Sequence, residues 1–303
     1  MPNRIDNAFR TVALFALATA SALVLQVGDA AAKQQRIVAL TPFSANTLIA
    51  AGVRPVAIGQ MAIGQKGLSP KLRRVKRLPL SHPNGPNMEQ LAKLDPGVVL
   101  TSAEWRKGSQ TMRDLAIKVR EMDATTATAV PARARAIGYA YGSKRLTDRL
   151  VAKIRREISY ATRGTAKSPH PIKRRPRVMM ILGVGKTPYV FINGSWAGSV
   201  ARAAGANLLG GSLRSSKDNP GFAKVSDEYV IAQDPDIILA VPHGNSRDLP
   251  SIAEAMRNNP AWSSTSAVKN GRVYATMDDA LLQPNVDVGH TIKRLRVSFL
   301  KNW

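Results

Sequence analysis

The sequence predicts an α/β protein of two Rossmann-like lobes, each built on a parallel-rich central sheet, joined by a single long α-helix. Three observations lead there: an internal repeat, a strand-helix-strand order found in both halves, and a proline-free amphipathic stretch between them. The repeat is strict in spacing. Glu89-Gln-Leu-Ala-Lys-Leu-Asp95-Pro96-Gly-Val98-Val99-Leu100 matches Glu228-Tyr-Val-Ile-Ala-Gln-Asp234-Pro235-Asp-Ile237-Ile238-Leu239, and the copies lie 139 residues apart. Each reads as a short helix stopped by proline and followed by a continuous apolar strand of the kind buried in a parallel sheet.

From the N-terminus, Arg4 and Arg10 precede an apolar run from Thr11 to Val27, and Ala30-Ala31-Ala32 stands just before Lys33. This is the pattern of a cleavable secretory signal peptide over residues 1–32. The run is short for a membrane span, which needs about 20 apolar residues. The chain has no cysteine, which excludes disulfides, thiolate metal sites, a cysteine nucleophile and a lipid-modified cysteine. The mature protein is therefore expected free in the periplasm of a double-membrane bacterium.

The N-terminal α/β lobe is expected over residues 33–130. Its opening strand is Arg36-Ile-Val-Ala-Leu40; Thr41-Pro42 starts a helix over Ala45 to Ala51, Gly52 closes it, and Pro55-Val-Ala-Ile58 is a second strand. Residues 131–165 contain apolar positions at Ile137, Ala140, Tyr141, Leu146, Leu150 and Ile154, three and four apart, and read as one long connecting helix. Gly138 and Gly142 weaken its first turns. Three prolines and nearby positive charges mark Ser168 to Pro176 as an exposed loop. The C-terminal α/β lobe, residues 170–303, repeats the order with strand Arg177 to Leu182, helix Trp196 to Ala204, Gly205, and Asn207-Leu-Leu.

The formal net charge of +24 is unchanged by removing residues 1–32, which take away two positive and two negative groups. Charge of that size favours anionic partners and acidic surfaces and does not determine fold. The basic runs Lys71 to Arg77, Arg133 with Arg135, and Lys173 to Arg177 are separated and lack interleaved aromatics. With an export signal in front of them they do not indicate a nucleic-acid partner; a secreted binder of envelope polyanions is the alternative they leave open. Catalysis has little support. Gly183-Val-Gly185-Lys186-Thr187 looks like the end of a P-loop, but Met180 stands where the loop needs glycine and Pro188 follows where a helix should. No His-Glu-x-x-His or Gly-x-Ser-x-Gly string exists, so no enzyme is expected.

The chain resembles the helical-backbone class of periplasmic binding proteins that serve importers of ferric siderophores, haem and vitamin B12. The likeness rests on Arg36-Ile-Val-Ala-Leu-Thr-Pro, on Asn87-Met-Glu-Gln-Leu-Ala-Lys-Leu-Asp-Pro, and on Ala267-Val-Lys-Asn-Gly-Arg-Val-Tyr274. The resemblance implies a monomeric receptor, two lobes on one helix with limited closure, and an ABC permease as partner. It also implies that Glu89 and Glu228, one per lobe, dock onto arginines of the two membrane subunits.

In the C-terminal half, Pro235-Asp-Ile-Ile-Leu-Ala-Val-Pro242-His243-Gly244 and Asn285-Val-Asp287 are similar to haem-binding members. The resemblance makes His243 an axial iron ligand if the ligand is haem. Asn84 stands where those members carry the partner methionine, and His82 stands where a second haem-binding group has its tyrosine. His82 and His243 could then clamp one iron from both lobes. Ligands of open α/β lobes meet the loops after the carboxyl ends of strands. That places Glu104, Trp105 and Arg106, then Tyr189 and Trp196, then His243, at the cleft, with Arg106 able to hold a carboxylate bidentately. The expected ligand is an iron complex, ferric siderophore or haem, with vitamin B12 as alternative; no resident cofactor is expected.

Overall fold

A computed structural model describes residues 36–61, 67–81, 84–163, 174–182, 188–217, 219–242, 246–276 and 278–301. The expected signal peptide, the Gly-Val-Gly-Lys-Thr string and the loop up to Lys173 lie outside the described residues.

The first lobe starts with β1 (Ile37–Ala39), buried at every position. Thr41 ends it: its hydroxyl accepts the Ser44 N–H, and Pro42, which has no N–H to leave unpaired, opens α1 (Pro42–Ala50). Gly52, at φ +88, turns the chain out of the helix. β2 (Ala57–Gln60), β3 (Lys76–Ser81), β4 (Gly85–Pro86), α2 (Met88–Ala92), β5 (Val98–Thr101), α3 (Arg106–Asp114) and β6 (Val119–Glu121) follow. The sheet order is β4-β3-β2-β1-β5-β6, parallel throughout except for the β3–β4 pair.

Residues 131–165 are not one helix. α4 (Val130–Tyr141) stops at Gly142, whose backbone is extended, and α5 (Lys144–Thr162) restarts from Ser143, whose hydroxyl accepts the Leu146 N–H. The Ser143 N–H donates to the Ala51 carbonyl (2.9 Å), so the break is tied to the end of α1. Residues on either side of the break then meet: a Cβ on Gly138 would overlap the Thr147 side chain, and the Tyr139 hydroxyl donates to Asp148 at 2.7 Å. The chain folds back on itself there. The link between lobes is α5 alone, 19 residues or about 28 Å of helix. The expected helix was overextended because apolar spacing continues through the glycines, while the backbone approach that requires them is invisible in the pattern.

The second lobe contains β7 (Arg177–Leu182), β8 (Tyr189–Phe191), α6 (Trp196–Ala204), β9 (Asn207–Leu208), β10 (Phe222–Lys224), α7 (Asp227–Gln233), β11 (Ile237–Ala240), α8 (Leu249–Arg257), α9 (Ser266–Lys269), β12 (Val273–Ala275) and α10 (Val288–Phe299). Its sheet runs β10-β8-β7-β11-β12, with β9 also paired to β7; β8 is antiparallel to both its neighbours.

Both sheets are covered on both faces. Ile37, Ala39, Val178, Met180, Ile237 and Leu239 join one core with Val130, Ala134, Ile137, Val151, Ile154, Val200, Ala204, Ile292 and Leu295, so the helices and the inner faces of both sheets share it. The alternate residues face outward into separate layers, Val38, Leu40 and Val99 in one lobe and Met179, Ile181 and Ile238 in the other. Ile154, fully buried on the linking helix, reports on this shared core. Ile154→Ala should lower unfolding free energy by about 2–5 kcal/mol, the range for truncating a packed aliphatic side chain, as read from urea denaturation; a loss below about 1 kcal/mol would contradict a common core.

Candidate ligand cleft

The two repeat copies give two matched surface helices. Asn87 and Ser226 cap α2 and α7 by accepting the N–H groups of Gln90 and Tyr229, and Glu89 and Glu228 stand exposed in the first turns. A helix N-terminus favours a carboxylate. The Ser226 hydroxyl and the backbone N–H of Glu228 itself hold that carboxyl below its ordinary range. Glu89 meets Lys93 at 2.6 Å with both side chains largely exposed, a pairing of the kind that contributes at most about 1 kcal/mol and is readily exchanged.

Both helices end the same way. Asp95 (φ 41) and Asp234 (φ 37) take the left-handed conformation immediately before a proline, which disfavours the right-handed helical alternative. An arginine at the head of each lobe's first strand holds the turn. Arg36 donates to the Leu94 and Asp95 carbonyls, and Arg177 donates to the Gln233 carbonyl and the Asp234 carboxylate (3.1 Å). Asp234 also accepts the Ser266 N–H and hydroxyl, which fastens α9 and the Ala267-to-Tyr274 string to the same junction.

The cleft edge of the first lobe is polar. Beyond β1, β5 and β6 the ladder continues through Leu40 N–H to Leu100 O and Met122 N–H to Thr101 O, bringing Thr41, Thr101, Ser102 and Asp123 to one edge. The Thr41 hydroxyl donates to Asp123 Oδ1 at 2.8 Å. Asp123 is buried, and burial pushes its carboxyl well above the ordinary range, opposed by the Thr41 hydrogen bond; nearby Glu104 raises it further and Arg133 lowers it. Glu104 is crowded by protein, so desolvation pushes its carboxyl up to about 7, yet solvent still reaches the residue. The crowding sets the direction of the shift. The C-terminal lobe closes on this edge: the Ala127 N–H donates to the Ser199 hydroxyl of α6 (2.8 Å). A second tie, Asn46 Nδ2 to Asn285 Oδ1 at 2.9 Å, is also buried.

The expected site residues divide. Asn84 is exposed, in a loop whose backbone presses on α3: a Cβ on Gly108 would strike the Asn84 carbonyl. Arg106 opens α3, and Tyr189 sits half-buried at the start of β8. Trp105 and Trp196, expected at the cleft, are only 3% and 6% exposed. Trp196 packs in the shared core with its indole N–H donating to the Ala280 carbonyl. His82 and His243 lie outside the described residues. Asn285, noted for its Asn-Val-Asp string, joins the lobes. Asp123 was missed, because its strand, β6, carries Arg120 and Glu121 and shows no apolar run that would direct attention to its end.

Two α/β lobes meeting at a polar edge have the architecture of a two-lobed binding protein. The chain belongs to the periplasmic binding protein family, whose model matches residues 37–280; this is a family of binding proteins, in line with the absence of enzyme motifs. A cobalamin-binding protein of Halobacterium salinarum is 26% identical over 271 residues, covering 88% of this chain and 69% of that protein. An ABC transporter substrate-binding protein from Listeria monocytogenes EGD-e shares the fold with a TM-score of 0.73 at 21% identity, over 86% of this chain and 96% of that one. Staphylococcus aureus IsdE complexed with heme does so with a TM-score of 0.70 at 24% identity, over 88% and 99%. Among the described residues no helix is long and apolar enough to cross a membrane.

The raised Glu104 carboxyl makes stability depend on pH. In the folded protein it keeps its proton up to about pH 7, whereas in the unfolded chain it loses it near 4.5. Between those values the folded state binds more protons, so its contribution to stability falls as pH rises. Glu104→Gln should therefore gain thermal stability over wild type at pH 8 relative to pH 4. An equal difference in Tm at both pH values would show that the carboxyl is not desolvated.

Proposed function

We propose that this chain is the receptor of an ABC importer, exported to the periplasm, which captures an iron complex (a ferric siderophore or haem) between its lobes as a monomer and hands it to the permease. The observation that carries this reading is the doubled surface helix: two exposed glutamates, one per lobe, at the same place in the same capped turn. Each is backed by the same Asp-Pro turn and arginine. A pair so matched suits a partner with approximate two-fold symmetry, as two permease subunits provide. Family membership and the fold shared with a haem-loaded protein support a chelate as cargo. If the ligand is haem, His243 and His82 are its iron ligands, and Asn84, Arg106 and Tyr189 border it. A cobalamin cargo is the second reading, favoured by the relative that spans most of the chain.

Two experiments test the parts separately. Glu89→Ala with Glu228→Ala should abolish uptake in cells while leaving ligand affinity within about twofold, since surface substitutions leave the fold within ±0.5 kcal/mol; a loss of affinity would refute the docking role. Hemin added to purified protein should give a Soret band that His243→Ala weakens or shifts. Absence of the band, or a band unchanged in both His243→Ala and His82→Ala, removes haem and leaves siderophore and cobalamin to be read by tryptophan quenching.

A further inference from the structure

Among the described residues, six buried side chains carry a nitrogen or oxygen atom with no hydrogen-bond partner. Three of those atoms belong to residues at the cleft edge of the first lobe: Thr101 Oγ1, Ser102 Oγ and Asp123 Oδ2. A fourth, Ser109 Oγ, lies on α3 just behind them. The edge residues are deeply buried, Thr101 at 0%, Asp123 at 7% and Ser102 at 8% exposure. Buried polar groups are nearly always paired, so these unpaired atoms leave room for a water or a ligand group. Strand order explains the clustering. β1, β5 and β6 are neighbours in the sheet and parallel, so the residues after them converge.

We propose that Thr101, Ser102, Glu104 and Asp123 form an acidic subsite that takes a hydrogen-bond-donating group of the ligand, an ammonium or amide N–H. The receptor would then favour neutral or cationic chelates over those rimmed with carboxylates or phenolates. This rests on the chelate-receptor reading and names the ligand class within it.

The chemistry of the groups decides for a donor. A carboxylate only accepts, and a hydroxyl can always accept. Asp123 spends Oδ1 on Thr41 and keeps Oδ2. Two neighbouring carboxyls resist ionising together, and an incoming cation favours the ionised form of both. An anionic group could take hydrogen bonds from the Thr101 and Ser102 hydroxyls but would need both acids protonated beside it, with exposed Arg133 the cation that acts on Asp123. The subsite thus opposes the molecule's overall charge. A field of +24 draws anions to the surface, whereas this edge selects against them.

The test compares chelates that differ in charge. Affinities of the full mature chain are measured by titration calorimetry for ferrioxamine B, which carries a free ammonium, for amide-rimmed cyanocobalamin, for strongly anionic ferric enterobactin, and for hemin with its propionates. A donor-bearing chelate should bind tightest, and Glu104→Gln should weaken it roughly tenfold or more, the effect of losing a charge-assisted hydrogen bond, while leaving the anionic ligands unchanged or tighter. Asp123→Asn, which keeps the shape and the acceptor facing Thr41, should act in the same direction. Binding of ferrioxamine B should release protons, detected by repeating the titration in buffers of different ionisation enthalpy. An anionic chelate that binds tightest, or a donor-bearing chelate indifferent to both substitutions, overturns the subsite and leaves the receptor reading intact. Failure of wild-type protein to bind any of the four overturns both.

Discussion

The Asp-Pro turn locked by an arginine is the constraint on which the rest of the architecture depends. Each lobe turns from a surface helix into a central strand through a left-handed aspartate: Asp95 lies between α2 and β5, and Asp234 between α7 and β11. A non-glycine residue in that conformation carries strain of order 1 kcal/mol or more. Arg36 and Arg177 offset it by binding the carbonyls at the helix end from the head of β1 and β7. Since β1 pairs with β5 and β7 with β11, each arginine is held by the same sheet whose helix it secures. The exposed glutamates, the strand ends and the cleft edge are therefore fixed relative to one another within each lobe.

Between lobes the constraint is packing. A core shared by both sheets, the α4–α5 pair, α6 and α10 cannot be opened without exposing Ile137, Ile154, Val200 and Ile292 together. The ties at Ala127–Ser199 and Asn46–Asn285 are single hydrogen bonds and cost far less to exchange.

Much of this architecture was legible because strands buried on both faces must be apolar throughout. Ile237–Ala240 and Val98–Thr101 are recognisable as runs, and the Asp-Pro spacing joins them into a repeat. Helix Trp196–Ala204 is bounded by Ser195 and Gly205, whose chemistry is local. What escaped depends on contacts distant in sequence. The break at Gly142 reflects the approach of Ala51, and the burial of Trp196 reflects a carbonyl 84 residues away. β6, with Val119 half-buried and Arg120 and Glu121 exposed, has none of the pattern of an interior strand, so the carboxyl edge it completes, with Asp123, was not seen as one side of a site.

The chain crosses between lobes once in its described part, so β1 through β6 come from one contiguous segment and β7 through β12 from another. Each sheet is therefore complete within its own segment, although its parallel pairings, such as Ile37 with Val98 and Val178 with Ile237, close long loops, which slows folding. The shared core cannot be completed this way. Val151 and Ile154 lie on α5, which precedes the second lobe and packs against both α4 and the later α6 and α10. A half-made molecule thus presents a formed lobe with an uncovered greasy flank, the form most prone to self-association. Docking of the second half onto α5 is what covers that flank.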